Sequence, residues 1–415
     1  MHPEADRQYR LGCDLEDAGR FAEAAAAYRG ALAFEPRHAR AKNNLGGALQ
    51  NVGQMAEALE CYEAAVRLDP RLWEPHYNLG IAAKLTGRTE AAVRHFQESM
   101  RRKRGRGVPA TGSDPTMLRT SKAKLRHDIE QFDYLLARGI LAAEFHAIVA
   151  AYRGALASLP ADLPDGQLVD FPGGLSGSLA EVYNRVAHFY DAPEVPGSAL
   201  DPKLDRAAVE AAYVREAPGI VHLDGLLSRE ALAGLRRFCL ESTIWFDFQY
   251  AAGYLGAYFE DGFACPLLAQ IARELPLALP GVFRGERLMQ LWGYKYDSEL
   301  AGIDVHGDFA AINVNFWITP DDANLAPAGG GLVVWDKQAP GDWDFEAYNK
   351  DTARMREYLQ HSGARAITVP YRQNRAVIFN SDLFHMTDTV RFRPGYENRR
   401  INITMLFGER GGARP

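Results

Sequence analysis

Two histidines, one aspartate and one arginine carry the chemistry this sequence could do. His306 and Asp308 stand two apart in GIDVHGDFAAINVNFWI, and His385 follows 79 residues downstream in NRAVIFNSDLFHMTDTV. At that spacing His306 and Asp308 fall on one side of a strand's pleat and can reach one ion from a strand end. His385 must arrive from a different strand. Two neutral imidazoles and a carboxylate on one face of an ion leave three positions open, an arrangement suited to Fe(II). Arg400, in NRRINITMLFG, adds a forked cation of the kind that grips a carboxylate through two hydrogen bonds. Alternation puts Arg400, Asn402 and Thr404 on one face, and Ile401, Ile403 and Met405 on the other, so the polar face carries Arg400 rather than Arg399.

A lone His-x-Asp arises often by chance, and one histidine after a strand is commonly structural. The ordered set is harder to obtain by accident. His188, His222 and His361 have no partner at ligand spacing and are expected to be structural.

The elements that must position this set are short strands. Beyond about residue 285 the apolar pattern leaves the helical period, and strands are expected at 288–294, 310–318, 331–335, 366–369, 375–379 and 400–407. Such spacing suggests an all-β sandwich or a double-sheet jelly roll. Ahead of them, residues 219–240 read as a strand, a turn and a helix capped by Ser228.

The first hundred residues repeat at an interval of 34. Gly12, Gly46 and Gly80 recur in phase, as do Leu11, Leu45 and Leu79; Gly19, Gly53 and Gly87; Ala24, Ala58 and Ala92; and Tyr28, Tyr62 and Phe96. The period implies two antiparallel helices per unit, with small residues at the crossings and aromatics filling the gaps. Pro36 and Pro70 close the first two units, and Arg104 stands at that place in the third.

Residues 101–114, RRKRGRGVPATGSD, read as an exposed loop rather than a nucleic-acid patch. Asp114-Pro115 suits a helix start. A helix over 121–141 and another over about 141–158 are expected to cap the solenoid. The Pro- and Gly-rich stretch 159–200 is expected to join the domains. The resulting division is 1–104 for three repeats, 105–204 for helical cap and linker, and 205–415 for the last domain.

Composition fits a globular chain. The 415 residues are 47% hydrophobic and 24% charged, with a formal net charge of −6, so neither nucleic acid nor membrane is an expected partner. No 18-residue apolar run occurs, the polar start MHPEADRQYR lacks a leader's hydrophobic region, and the four cysteines are scattered without CxxC spacing. A cytoplasmic setting is expected.

Two resemblances follow from these motifs. Residues 5 to 104 resemble tetratricopeptide repeats, which implies a groove for a protein or peptide, with Asn43, Asn44, His76, Tyr77 and Asn78 as candidate contacts; scaffolding or dimerisation is the alternative. The stretch from about 205 to 410 resembles the Fe(II)- and 2-oxoglutarate-dependent oxygenases of the prolyl-4-hydroxylase-like branch. The resemblance rests on His306/Asp308, Gly330-Gly331-Leu332, Phe379-Asn380-Ser381-Asp382 leading to His385, and Arg400 with Asn402. It implies a double-stranded β-helix (jelly-roll) fold with flanking helices. It also implies Fe(II) on His306, Asp308 and His385, the distal carboxylate of 2-oxoglutarate on Arg400, O2 as oxidant, and possible support by ascorbate. Tyr296 falls where the branch often has a tyrosine on the oxoglutarate, with Tyr294 competing. Asn313 and Asn315 are further candidates around it.

Asp308 favours hydroxylation, since related halogenases carry a small residue there. The sequence departs from the pattern in two places. The interval from His385 to Arg400 is 15 residues, longer than usual in the family, and an insertion at 336–365 could be a lid or surface decoration. The implied function is hydroxylation of a C–H bond in a protein or peptide brought by the repeats. A small-metabolite oxygenase and an adaptor with an inactive oxygenase fold are the alternatives.

Overall fold

A computed structural model describes residues 2–107, 117–215, 219–300 and 302–410. The Asp114-Pro115 helix start lies outside them. The chain separates into two compact units, Met1–Gly105 with Glu260–Ala264, and Arg106–Phe259 with Cys265–Pro415. Among the described residues no helix is long and apolar enough to cross a membrane.

The first unit is built of helix pairs: α1 (Pro3–Asp17) with α2 (Phe21–Phe34), α3 (Ala39–Asn51) with α4 (Met55–Leu68), and α5 (Glu74–Leu85) with α6 (Thr89–Arg104). The repeating glycine is set by the repeating aromatic. A Cβ added to Gly12, Gly46 or Gly80 would lie 2.4, 2.6 or 2.5 Å from the buried ring of Tyr28, Tyr62 or Phe96 respectively. Gly19, Gly53 and Gly87 turn the chain between the paired helices at φ of 72°, 80° and 71°, a conformation that costs a side-chain-bearing residue about 1–2 kcal/mol. Helices α2 and α4 stop two residues before Pro36 and Pro70.

With no proline to stop it, α6 runs on through Arg104. Residues 101–104 are therefore helix and not exposed loop. Arg104 is buried and pairs with Asp261 at 2.7 Å, and Lys103 lies 5.2 Å from the centre of the Trp73 ring. Four cations at a helix C-terminus also suit its dipole.

The asparagines expected in a groove are partly engaged with one another. Asn78 Nδ2 donates to Asn43 Oδ1 at 3.0 Å, Asn43 Nδ2 donates to Asn44 Oδ1 at 3.1 Å, and Asn44 Nδ2 reaches the Tyr28 hydroxyl at 3.4 Å. This ladder links successive units. Burial pushes the His76 imidazole, 3.3 Å from His95, down to about 4, with the charges of Arg102 and His95 acting the same way.

In the second unit the strands of the two larger sheets are β1 (Ile220–Asp224), β2 (Leu255–Tyr258), β3 (Leu288–Lys295), β4 (Ile312–Trp317), β5 (Leu332–Gln338), β6 (Ala366–Val369), β7 (Arg375–Asn380), β8 (Leu383–Thr387) and β9 (Ile401–Phe407). They form an antiparallel six-stranded sheet, β1-β7-β4-β9-β3-β2, and an antiparallel three-stranded sheet, β8-β5-β6. Side chains of both meet in one core, with Trp317, Val377 and Phe379 from the larger sheet and Val334, Val369 and Leu383 from the smaller. The sequence pattern misses β2 and β8. Strand β8, which carries His385, begins three residues after β7 ends, across the polar stretch Asn380-Ser381-Asp382.

The helix expected to cap the solenoid belongs to the second unit. In α7 (Lys122–Ala137) the apolar stripe of Leu125, Ile129, Phe132 and Leu135 packs on α8 (Phe145–Ser158). Its polar side is not solvent-facing. Gln131 donates to the carbonyls of Leu240 and Ser242 at 3.1 and 3.0 Å, Lys124 donates to that of Trp245 at 3.0 Å, and Glu130 pairs with Arg399 at 2.7 Å. Sequence periodicity shows the apolar stripe but cannot show that polar groups on the other side find buried partners.

Two predictions concern the repeats. Alanine in a helix is favoured over glycine by about 1 kcal/mol, whereas overpacking costs about 1–3 kcal/mol. Gly46→Ala should therefore speed amide exchange in α3 and α4. Gly47→Ala, where the nearest atom is 3.5 Å away, should slow it. The second concerns pH. Because the folded value of His76 lies below its ordinary 6.5, the unfolded chain takes up the proton first. The stability that the neutral ring contributes is complete above 6.5 and is lost as pH falls toward 4. The denaturant midpoint of the repeats should drop over that window, and by less in His76→Gln.

Candidate metal centre

His306 lies in the loop ahead of β4 and is tied to β8 by backbone bonds in both directions. The His306 N–H donates to the His385 carbonyl at 3.0 Å, and the His385 N–H returns a bond to the His306 carbonyl at 2.9 Å. The bridge brings the two rings to 4.3 Å between centroids. Each Nδ1 then meets a carbonyl that can only accept, Asp304 at 2.8 Å for His306 and Leu383 at 3.2 Å for His385. Nδ1 therefore carries the hydrogen of the neutral ring, and Nε2 keeps its lone pair for an ion.

Asp308 completes the group. Its Oδ2 lies 3.4 Å from His385 Nε2, and one donor atom from each of His306, Asp308 and His385 falls within 4.8 Å of the others. Ligands on one face of an ion, bonded at about 2.0–2.2 Å and about a right angle apart, sit about 3 Å from one another, so an inward turn of the side chains would seat a metal. Among the described residues this is the one such group of three. Burial lowers the pKa of His306, and His385 adds to the effect, which favours the neutral ligand form. For Asp308 burial acts upward, but the neighbouring His385 and His306 rings, which attract the carboxylate whenever they take up a proton, and the Asn313 amide outweigh it, so the carboxyl lies below its ordinary range.

A buried polar ladder runs from Asp308 along the inner face. Asn313 Nδ2 donates to Asp308 Oδ2 at 2.6 Å, and Asn315 Nδ2 donates to Asn313 Oδ1 at 2.5 Å. Asn315 Oδ1 accepts from Asn402 Nδ2 at 3.0 Å and from the Thr404 hydroxyl at 2.8 Å. The register permits this because Thr404 lies opposite Asn315 where β9 pairs with β4. Asn313 thus orients a candidate ligand, and Asn315 orients Asn313.

Arg400 stands at the other end of the same face and is fully buried. Its Nε donates to the Gly330 carbonyl at 2.7 Å and Nη2 to that of Gly331 at 3.3 Å. The rings of Tyr296, Trp317 and Tyr371 surround it, with Tyr296 at 4.6 Å. Nη1 has no hydrogen-bond partner, nor has the Asn402 Oδ1 two residues along. Among the described residues no carboxylate pairs with Arg400. Burial lowers its pKa, with Tyr296 and Tyr371 acting the other way, yet a guanidinium stays charged in proteins. Arg399 points elsewhere, to Glu130. Arg400 is thus a fully buried cation with an unused donor.

The two tyrosines part ways. Tyr296 packs on Arg400, its hydroxyl 3.5 Å from that of Thr387. Tyr294 lines a cleft of about 380 Å³ together with His306, Asp308, Tyr258, Trp292 and Phe345. Its hydroxyl meets that of Tyr258 at 3.0 Å. The sequence gives no sign of Tyr258, Trp317 or Tyr371, whose partners come from distant strands. Phe345, Asn349 and Thr352 of the 336–365 insertion also line this cleft, so part of the insertion forms its wall. His188, His222 and His361 lie outside the group.

The model of the tetratricopeptide-repeat family matches residues 9–70 and 48–106, so the N-terminal unit carries tetratricopeptide repeats. No curated protein matches the chain. Similar solved structures include the CopN-Scc3 complex, at 21% identity and TM-score 0.24 over 28% of this chain and 63% of that one. A crystal structure of MamA matches at 24% identity and TM-score 0.23 over 24% and 58%. The TPR2B-domain:pHsp70 complex of yeast Sti1 matches at 18% identity and TM-score 0.24 over 24% and 80%. The chain thus spans less than two thirds of the first two, and scores this low carry no argument about the rest of the molecule. What stands is that the N-terminal unit is a tetratricopeptide-repeat module, a class built for contact with proteins, followed by a β-rich unit of antiparallel sheets.

Proposed function

We propose that the second unit is an Fe(II)- and 2-oxoglutarate-dependent oxygenase with a double-stranded β-helix (jelly-roll) core. It would hydroxylate a C–H bond of a protein or peptide recruited by the repeats. The observation that carries this reading is the gathering of one donor atom from each of His306, Asp308 and His385 within 4.8 Å of one another, beside the polar inner face that carries a buried arginine without an acidic partner. His306, Asp308 and His385 would hold the iron, and Arg400 the distal carboxylate of 2-oxoglutarate, with Tyr296 stacked on its guanidinium.

Bound iron and 2-oxoglutarate supply the oxidising chemistry with O2, ending in succinate, CO2 and an alcohol. The chain's residues orient and exclude water. The Asp304 and Leu383 carbonyls fix both imidazoles as Nδ1–H tautomers, Asn313 fixes Asp308, and the Tyr258, Trp292, Tyr294 and Phe345 rings shield the cleft. The repeats favour a protein partner. An adaptor function alone would leave the cost of burying Arg400 without a return.

Anaerobic calorimetry with Mn(II) and 2-oxoglutarate, followed by succinate release with Fe(II), ascorbate and O2, tests this. A ligand at about 100 times its Kd raises stability by about 2.7 kcal/mol, so Mn(II) should raise the melting temperature of the wild type and not that of His306→Ala or His385→Ala. Arg400→Ala should keep its metal and lose 2-oxoglutarate affinity by about 10-fold to about 150-fold, the span of the roughly 1.5–3 kcal/mol for a hydrogen bond to a charged group. Metal and co-substrate binding that these substitutions leave unchanged would overturn the proposal.

A further inference from the structure

The insertion grips the candidate ligand loop at its middle residue. Gly307 sits between His306 and Asp308, and both of its backbone polar groups are held from the insertion. Its N–H donates to the Tyr348 carbonyl at 2.7 Å, and its carbonyl accepts from Asn349 Nδ2 at 2.7 Å. Tyr348 and Asn349 lie in the π-helical turn Glu346–Lys350, a wide turn that is often found at functional sites. The segment is itself pinned. Arg410 stacks on the Tyr348 ring at 3.7 Å and pairs with Asp382 at 3.0 Å, while Arg356 pairs with Asp304 just before the loop. Phe345, Asn349 and Thr352 of the same segment wall the cleft beside His306 and Asp308.

We propose that Asn349 is a positioning residue that acts through Gly307 to set the spacing of His306 and Asp308, so that metal affinity and closure of the insertion over the cleft are one coupled equilibrium. The proposal rests on the metal-centre reading above. A glycine offers no side chain to hold its place, so the loop's geometry at that point depends on its two backbone bonds. Coupling of this kind is reciprocal: if the closed insertion tightens the metal, the metal tightens the insertion by the same factor. A substrate that touches Phe345, Asn349 or Thr352 in the cleft then tightens the metal site as it binds.

Co(II) titration of the full chain, followed by its visible absorption, tests this alongside amide exchange over residues 345–352. The proteins are wild type, Asn349→Ala, the near-isosteric Asn349→Asp that removes the donor, and Glu357→Ala on the exposed side of the following helix as control. Loss of a group that orients a metal ligand typically costs about 10–100-fold in affinity, and both Asn349 variants should show that loss with an altered Co(II) spectrum. Co(II) should slow exchange over 345–352 in the wild type and in Glu357→Ala, and much less in the Asn349 variants. Asn349 variants that bind Co(II) as the wild type does, or wild-type exchange over 345–352 that ignores the metal, would overturn the coupling while leaving the metal centre intact. A wild type that binds no Co(II) would overturn both. The wild-type exchange measurement decides the matter even if a variant fails to fold.

Discussion

A charge buried between two β-sheets needs a partner, because taking an ion out of water costs several kcal/mol and an unpaired one recovers little of it. Arg400 is such a charge. Two glycine carbonyls and three aromatic rings soften its burial, and one nitrogen is left over. Asp308 is the opposite charge at the far end of the same face, held by Asn313 and by the histidines beside it. The inner faces of β4 and β9 are organised to keep these two charges apart and solvated by amides. Asn313, Asn315, Asn402 and Thr404 occupy positions where a purely structural sheet would carry Val or Ile, and they are satisfied chiefly by one another. A partly satisfied buried network is worse for stability than an apolar core. On the proposed function, its orphan atoms at Arg400 and Asn402 are where a ligand's polar groups would belong.

Most of this set is legible from residue type and spacing because strand alternation is rigid. NVNFW places Asn313, Asn315 and Trp317 on one side, and RINIT places Arg400, Asn402 and Thr404 on one side. Which rows face each other depends on register, and register depends on contacts far apart in the chain. The packing of Tyr371 and Trp317 around Arg400 could not be read from the sequence for that reason. Strand β8 was hidden because its five residues, LFHMT, show no clear alternation, and α7 was misplaced because its polar side looks solvated until Leu240, Ser242 and Trp245 supply carbonyls to it.

The repeats were the easier part. Their contacts are local, each glycine meeting an aromatic 16 residues on, so a period in the sequence becomes a period in space. The same locality explains the basic run at 101–104. Proline ends α2 and α4 from outside, and where it is missing the helix simply continues, carrying the buried Arg104 to a carboxylate contact with Asp261 that no local rule announces.

The separation of Tyr294 from Tyr296 gives the site its polarity. Both project from the same side of β3 and its continuation, yet two residues of rise put one ring against Arg400 and the other in the cleft beside His306 and Asp308. Strand pairing fixes the offset, because Tyr294 lies opposite Asn402 and the Tyr296 N–H donates to the Arg400 carbonyl at 2.9 Å. On the proposed function this offset assigns a role to each end. The anionic co-substrate lies toward Arg400 under Tyr296, and the substrate approaches through the aromatic cleft walled by the insertion. A slip of one residue in β9 would send Arg400 and Asn402 to the outer face and remove the anchor and the ladder together, which is why register, more than any single residue, underlies the site.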